Sequence, residues 1–183
     1  MELAVHHITT RKTWTDLNLD NAAREQINEL RQQLKNDYSV TSAKSSRQIG
    51  TVVLFNGSSR ADGQLAAALL GQESGVDVYR INLGGIVSKY IGETEKNIEW
   101  VFAEKKDQKW ILFFDEADAL FGKRTETKDS RDRYANADLN YLFQRIEDYN
   151  GLVIIATNMK SNVDDAFNRR FRYIVDFPFH GSQ

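Results

Sequence analysis

The run Trp110-Ile111-Leu112-Phe113-Phe114-Asp115-Glu116-Ala117-Asp118-Ala119-Leu120-Phe121 decides the fold. Its five leading apolar residues are too few for a helix and rich in aromatics, so they read as a strand buried on both faces. Two carboxylates follow where that strand ends. In a parallel α/β sheet the carboxyl ends of strands line the ligand crevice, which puts Asp115 and Glu116 side by side on its floor. An acid able to hold Mg²⁺, next to one able to polarise a water, is what phosphoryl transfer requires of a strand tip. The competing reading is a pair of acids opening a surface helix. It suits a bare Asp-Glu dipeptide better than one placed behind a buried run.

The same pattern recurs on either side. Leu152-Val153-Ile154-Ile155-Ala156-Thr157-Asn158 is again an apolar run with a polar tip. Thr51 to Phe55 reads as a buried strand, Val76 to Leu83 as a strand by its alternation, and Tyr173 to Phe177 as a last strand stopped by Pro178. Helical patterns lie between them: Leu65 to Leu70 closed by Gly71, Glu93 to Lys105 with Ile98, Val101 and Phe102 inward, and Ala135 to about Tyr149. A short helix from Val163 to Phe171 carries Arg169 and Arg170 near its end. Ahead of all these, Asp20 caps an amphipathic helix that runs through Lys35 on Ile27, Leu30 and Leu34. Residues 1–13 show no periodicity and are expected as a flexible arm, with residues 36–50 and 122–133 as loops. Five strands alternating with helices predict a five-stranded parallel sheet with right-handed crossovers and helices on both faces. That is one three-layer α/β domain over residues 14–183.

Composition bounds the function. A length of 183 residues allows one domain with a real core, and 27% charged residues suit a soluble globular chain. Cysteine is absent, which removes disulfide and thiol chemistry and fits the cytoplasm. No apolar run approaches the roughly 18 residues of a membrane span, and the start lacks a signal peptide's apolar core. The formal net charge of −2 advertises no nucleic-acid partner. His6 and His7 are adjacent rather than at a ligand spacing, and His180 is far away, so no histidine metal centre is expected.

The strand at Thr51 leads into Asn56-Gly57-Ser58-Ser59-Arg60-Ala61-Asp62-Gly63-Gln64 and then a helix, the frame of a phosphate-binding loop. Set against G-x-x-x-x-G-K-[ST], Gly57 fits the first glycine. Asp62 then stands at the second glycine, Gly63 at the lysine and Gln64 at the hydroxyl. A carboxylate in that loop faces the phosphate oxygens, and two like charges ~4 Å apart cost about 4 kcal/mol at an effective dielectric of 20. Arg60 is the nearby group able to offset it.

In their order, FFDEADALFGKR, IIATN and DDAFNRRF, together with SKYIGETEKNIEWVF, make the chain resemble the large subdomain of an AAA+ ATPase, a P-loop NTPase fold. The resemblance covers roughly residues 14–179 and is strongest to the katanin, spastin and proteasome-type branch. The stretch from Gly122 to Gly151 and the closing Asp176-Phe177-Pro178-Phe179 are similar to AAA ATPases encoded beside phage-tail-like contractile injection systems. The resemblance implies Asp115 as the Mg²⁺ residue, Glu116 as the activator of water and Asn158 as the γ-phosphate sensor. It implies Arg169 and Arg170 as arginine fingers toward a neighbouring subunit, and Lys89, Tyr90 and Ile91 as a pore loop gripping polypeptide. ATP or ADP with Mg²⁺ is the implied cofactor, and Gly57 to Gln64 the nucleotide-binding segment.

The altered loop implies weak or absent ATP binding and hydrolysis, and the family's helical lid does not follow within the sequence. The leading expectation is a weak or inactive ATPase-family subunit of a protein-remodelling ring, without nucleic acid or membrane. Two alternatives stand beside it: a working ATPase that uses Arg60 as phosphate ligand, and a nucleotide-independent interaction module docking an assembly partner around Tyr90 and residues 123–133.

Overall fold

The computed structural model describes residues 5–37, 50–57, 60–87, 90, 92–105, 109–118, 130–158 and 168–178. Six strands form one mixed sheet: β1 (Val5–Ile8), β2 (Thr51–Asn56), β3 (Val78–Asn82), β4 (Ile111–Asp115), β5 (Leu152–Thr157) and β6 (Tyr173–Asp176). Their spatial order is β1-β3-β4-β5-β2-β6. β1 runs antiparallel to β3, and the other neighbours are parallel. The helices are α1 (Asn21–Asp37), α2 (Arg60–Ser74), the single turn α3 (Leu83–Ile86), α4 (Glu93–Lys105) and α5 (Ser130–Glu147).

Side chains alternate across each strand, so each central strand feeds two cores. Val53, Phe55, Ile111, Phe113 and Ile154 pack against α1 and α2 through Ile27, Leu30, Ala66 and Leu70. Leu54, Leu112, Phe114, Val153 and Ile155 pack on the opposite side against α4 and α5 through Ile98, Val101, Leu142 and Phe143. This double burial is why the strands read as continuous apolar runs. Asp20 does cap α1, its Oδ1 accepting the Ala23 N–H at 2.8 Å.

Four expectations are corrected. The sheet has six strands and is mixed, because Val5–Ile8, expected in a flexible arm, pairs with Val78–Ile81. Without that partner the outer edge of β3 would present unpaired backbone groups. Gly71 does not end the second helix. α2 continues to Ser74 and stops at Gly75, whose φ of +64° is the left-handed turn that glycine adopts without penalty. Gly71 instead permits close approach, since a Cβ there would meet Val78 Cγ2 at 2.2 Å. α2 also begins earlier than expected, at Arg60, and α5 begins at Ser130, inside the stretch expected as a charged loop. The helix expected over residues 163–171 lies largely outside the described residues.

Candidate active site

The carboxyl ends of β4, β5 and β2 meet at one edge of the sheet. From β2 the chain crosses by α2 to β3, whereas from β5 it passes β2 to reach β6. Neighbouring strands whose chains depart in opposite directions open a crevice at their carboxyl ends. Around it lie Arg60, Asp115, Glu116, Asp118, Ala156, Thr157 and Asn158. The six-residue parallel registers of β2 and β5 bring Asn56 opposite Thr157, and the Gly57 N–H extends the ladder to the Thr157 carbonyl at 3.0 Å. Gly57 turns there with φ +70°, a conformation that favours glycine.

The connection that follows is short. With α2 starting at Arg60, only residues 57–59 separate strand from helix, and of these Ser58 and Ser59 lie outside the described residues. Ala61, Asp62, Gly63 and Gln64, expected in a phosphate-cradling loop, are helical. Asp62 sits in the first turn of α2, where a carboxylate is favoured by the helix dipole. The physical reason is local: arginine and alanine are strong helix formers, and they occupy positions 60 and 61, where a phosphate loop needs to stay unwound. Gly63, at the lysine position, is buried and offers no ammonium.

Asp115 and Glu116 are side by side, as expected, but each is already paired with arginine. Arg80 on β3 directs Nε and Nη2 onto Asp115 Oδ2 at 2.8 and 2.7 Å. Arg60 Nε lies 3.5 Å from the same oxygen, and the Arg60 guanidinium also pairs with Glu116 Oε1. The remaining oxygen, Asp115 Oδ1, accepts the Glu116 N–H at 2.9 Å. Register explains the first contact. Arg80 is opposite Phe113 and Asn82 opposite Asp115, so Arg80 reaches its partner on the diagonal along the face beneath α2. Glu116 has φ +59°, an uncommon conformation for a non-glycine residue. Gly84 leaves room for it, since a Cβ there would stand 3.0 Å from Glu116 Oε2.

Asp118 ties two strand tips together. Its Oδ1 accepts the Thr157 hydroxyl and, at 3.2 Å, the Asn158 N–H. Asn158 thereby stands at the crevice with its backbone fixed. Arg80, Asp118, Thr157 and Gly84 were not singled out by sequence reasoning. For Arg80 a signal exists, a charge in mid-strand between Tyr79 and Ile81.

The other predicted residues lie elsewhere. Arg169 and Arg170 are exposed just before β6, at the amino ends of the strands, since Tyr173 opposite Val53 begins the β2–β6 pairing. Arg170 lies 3.5 Å from Glu147 and stacks over Phe143 at 5.2 Å. Both arginines are thus at the far end of the sheet from Asp115. Tyr90 is 73% exposed, and its neighbours Lys89 and Ile91 lie outside the described residues.

The residues present do not fit an Mg²⁺ ion at Asp115. Two guanidinium groups already face this carboxylate: Arg80 places two N–H groups on Oδ2 and Arg60 Nε stands 3.5 Å from it, while Oδ1 accepts the Glu116 N–H, so its charge is met from within the chain. Among the described residues, no group of three or more His, Cys, Asp or Glu is placed to hold a metal.

A mixed sheet whose central strands are parallel, with paired acids at one strand tip, a glycine after another and a polar tip between them, is the sheet of a P-loop NTPase-like α/β domain. The chain belongs to the AAA family, ATPases associated with various cellular activities, whose model matches residues 64–179. An uncharacterised AAA family ATPase of Sinorhizobium fredii is 31% identical over 130 residues, covering 71% of this chain and 39% of that protein. Spastin of Xenopus tropicalis is 32% identical over 133 residues, 69% of this chain and 22% of spastin. Vacuolar protein sorting-associated protein 4B of Mus musculus is 28% identical over 130 residues, 69% and 29% of the two chains. The chain therefore spans well under half the length of these relatives.

The crystal structure of the FIGL-1 AAA domain shares the fold with a TM-score of 0.66 at 18% identity, over 96% of this chain and 58% of that one. Its complex with ADP gives 0.64 at 20% identity, over 97% and 59%. The family match begins at Gln64, past the turn at Gly57.

Proposed function

We propose that this chain is a AAA-family ring subunit that takes part in remodelling protein partners while its own nucleotide site binds ATP weakly and hydrolyses little or none. One observation carries the reading: α2 winds back to Arg60, whose guanidinium sits on Glu116 and near Asp115. Nucleotide hydrolysis requires a phosphate cradle on one side of the crevice and free acids on the other. In this chain α2 already begins at Arg60, three residues past Gly57, and both acids are paired with arginine from within. Asp62, expected to face phosphate, instead joins the first turn of α2, and Gly63 and Gln64 follow it in that helix.

Arg169 and Arg170, at the other end of the strands, suit a role toward a neighbouring subunit rather than toward their own crevice. A guanidinium offered there stabilises charge spreading over transferring phosphoryl oxygens in the neighbour's site. Glu116 and Asn158 would serve chemistry only if Arg60 were displaced. Tyr90, exposed ahead of α4, is the side chain we assign to gripping a polypeptide, and its exposure supports that reading. Its exposure also favours a second reading, a nucleotide-independent docking module. No helix among the described residues is long and apolar enough to cross a membrane, and we assign the protein to the cytoplasm.

Calorimetric titration of the full chain with ATP and Mg²⁺ tests the proposal. Heats too small to fit, with no phosphate released, are expected. Sub-micromolar binding with steady turnover overturns it.

A further inference from the structure

The geometry points to Arg80 as an internal cation that stands in for a divalent ion at the acidic strand tip, closing Asp115 to metal. This deepens the proposal of a non-hydrolysing site, and it rests on contacts that do not involve nucleotide. Asp115 is 5% exposed, and a carboxylate so buried requires a positive partner. In this chain the partner is covalently part of β3. The Arg80 side chain is itself only 18% exposed and places two N–H groups on one oxygen, a charge-assisted contact in which Nε and Nη2 share a single acceptor.

Charge and space agree. Arg60 and Arg80 offset the charges of Asp115 and Glu116, to which they are paired, while Asp118 in the same crevice is held by the Thr157 hydroxyl and the Asn158 N–H instead. A metal ion arriving at Asp115 would have to displace a half-buried guanidinium with little room to move. Arg80 lies between Tyr79 and Ile81, whose backbones are held on one side by β1 and on the other by β4. His6 is directly opposite it in the β1 register. The backbone of this arginine is therefore held in the sheet and its side chain is largely covered, whereas Arg60 is 59% exposed on the helix end. Arg80 is a positioning and charge-compensating residue here, not a catalytic one.

The test uses Mn²⁺ alone, without nucleotide, so that its outcome is independent of whether ATP binds. The free Mn²⁺ electron paramagnetic resonance signal is followed while the full chain is added. The wild-type chain is expected to leave that signal unchanged, whereas Arg80→Ala should take up one Mn²⁺ per chain, with an affinity at least about tenfold above any residual wild-type uptake. Adding Asp115→Asn to Arg80→Ala should abolish it. A merely structural arginine would not produce this gain.

Wild-type binding lost on Asp115→Asn overturns the inference, and so does a folded Arg80→Ala chain that takes up no Mn²⁺. Should Arg80→Ala be unfolded, circular dichroism with Mn²⁺ decides: recovery of the fold on adding the ion supports the inference, and failure to recover overturns it. A Mn²⁺-tight wild-type chain that still ignores ATP would sink this inference and leave the proposed function standing.

Discussion

Arg60, the first residue of α2, and Glu116, the residue after β4, form a salt bridge across the mouth of the crevice. The arginine is 59% exposed, so the pair is screened by solvent and contributes at most about 1 kcal/mol. Arg60→Ala should accordingly lower the unfolding free energy measured in urea by no more than that amount, while any residual ATP affinity holds or rises as Glu116 is released. A tenfold loss of ATP affinity on Arg60→Ala would instead mark Arg60 as a phosphate ligand and favour the working-ATPase reading.

Restoring the loop's chemistry has to include its backbone. Asp62→Gly, Gly63→Lys and Gln64→Thr together supply the absent groups but leave Arg60 and Ala61 to wind the helix back. Adding Arg60→Gly weakens that turn by about 1 kcal/mol. Filter binding of labelled ATP should therefore be tighter for the fourfold variant than for the threefold one. Equal affinity would show that helix onset does not limit binding.

Close packing of α2 on β3 is tested at Gly71. A Cβ would meet Val78 Cγ2 at 2.2 Å and the Val76 carbonyl oxygen at 2.7 Å, and the second contact is backbone, which cannot rotate aside. Gly71→Ala is expected to destabilise by about 1–3 kcal/mol in chemical denaturation, in the range of overpacked cores. Adding Val78→Ala should recover only part of the loss, because the carbonyl remains.

Acid sensitivity has an identifiable contributor in the tie between α1 and α2. Arg31 donates to both oxygens of Glu73 at 2.6 and 2.5 Å, and this bond holds the Glu73 carboxyl below its ordinary range. A depressed carboxylate stabilises the fold above the unfolded pKa, near 4.3, and that contribution is lost as pH falls through the folded value. Since both side chains are more than a quarter exposed, the effect stays under about 1 kcal/mol. The stability difference between wild type and Arg31→Met should shrink as urea melts are moved from neutral pH to about pH 3. A difference that does not change with pH would remove Glu73 as its source.

Tyr90→Ala separates grip from fold. At 73% exposure the side chain contributes little to stability, and the melting temperature should stay within the scatter of surface substitutions. Capture of an unfolded polypeptide in a pull-down should fall. Unchanged capture would remove Tyr90 from the proposed polypeptide contact.

The central strands were legible because two helical layers bury both faces of Ile111–Asp115 and Leu152–Thr157, and burial on both sides leaves an unbroken apolar run. Val5–Ile8 was not, since its two histidines sit on the exposed part of an edge and break any alternation. Asp115, Glu116 and Asn158 could be placed at strand tips from order alone. Arg80 could not be joined to Asp115, because that contact depends on which residue of β3 faces which residue of β4. The early start of α2 is hidden by its own context: a glycine after a strand suggests a loop, and it masks the helix preference of Arg60 and Ala61.

The antiparallel first strand also acts as a hem along the sheet. Its four residues occupy backbone groups of Val78–Ile81 that would otherwise face outward beside the Arg80 cluster. A chain trimmed to begin at Thr9 would carry a raw border open to another copy, and light scattering should show it clumping where the longer chain stays dispersed.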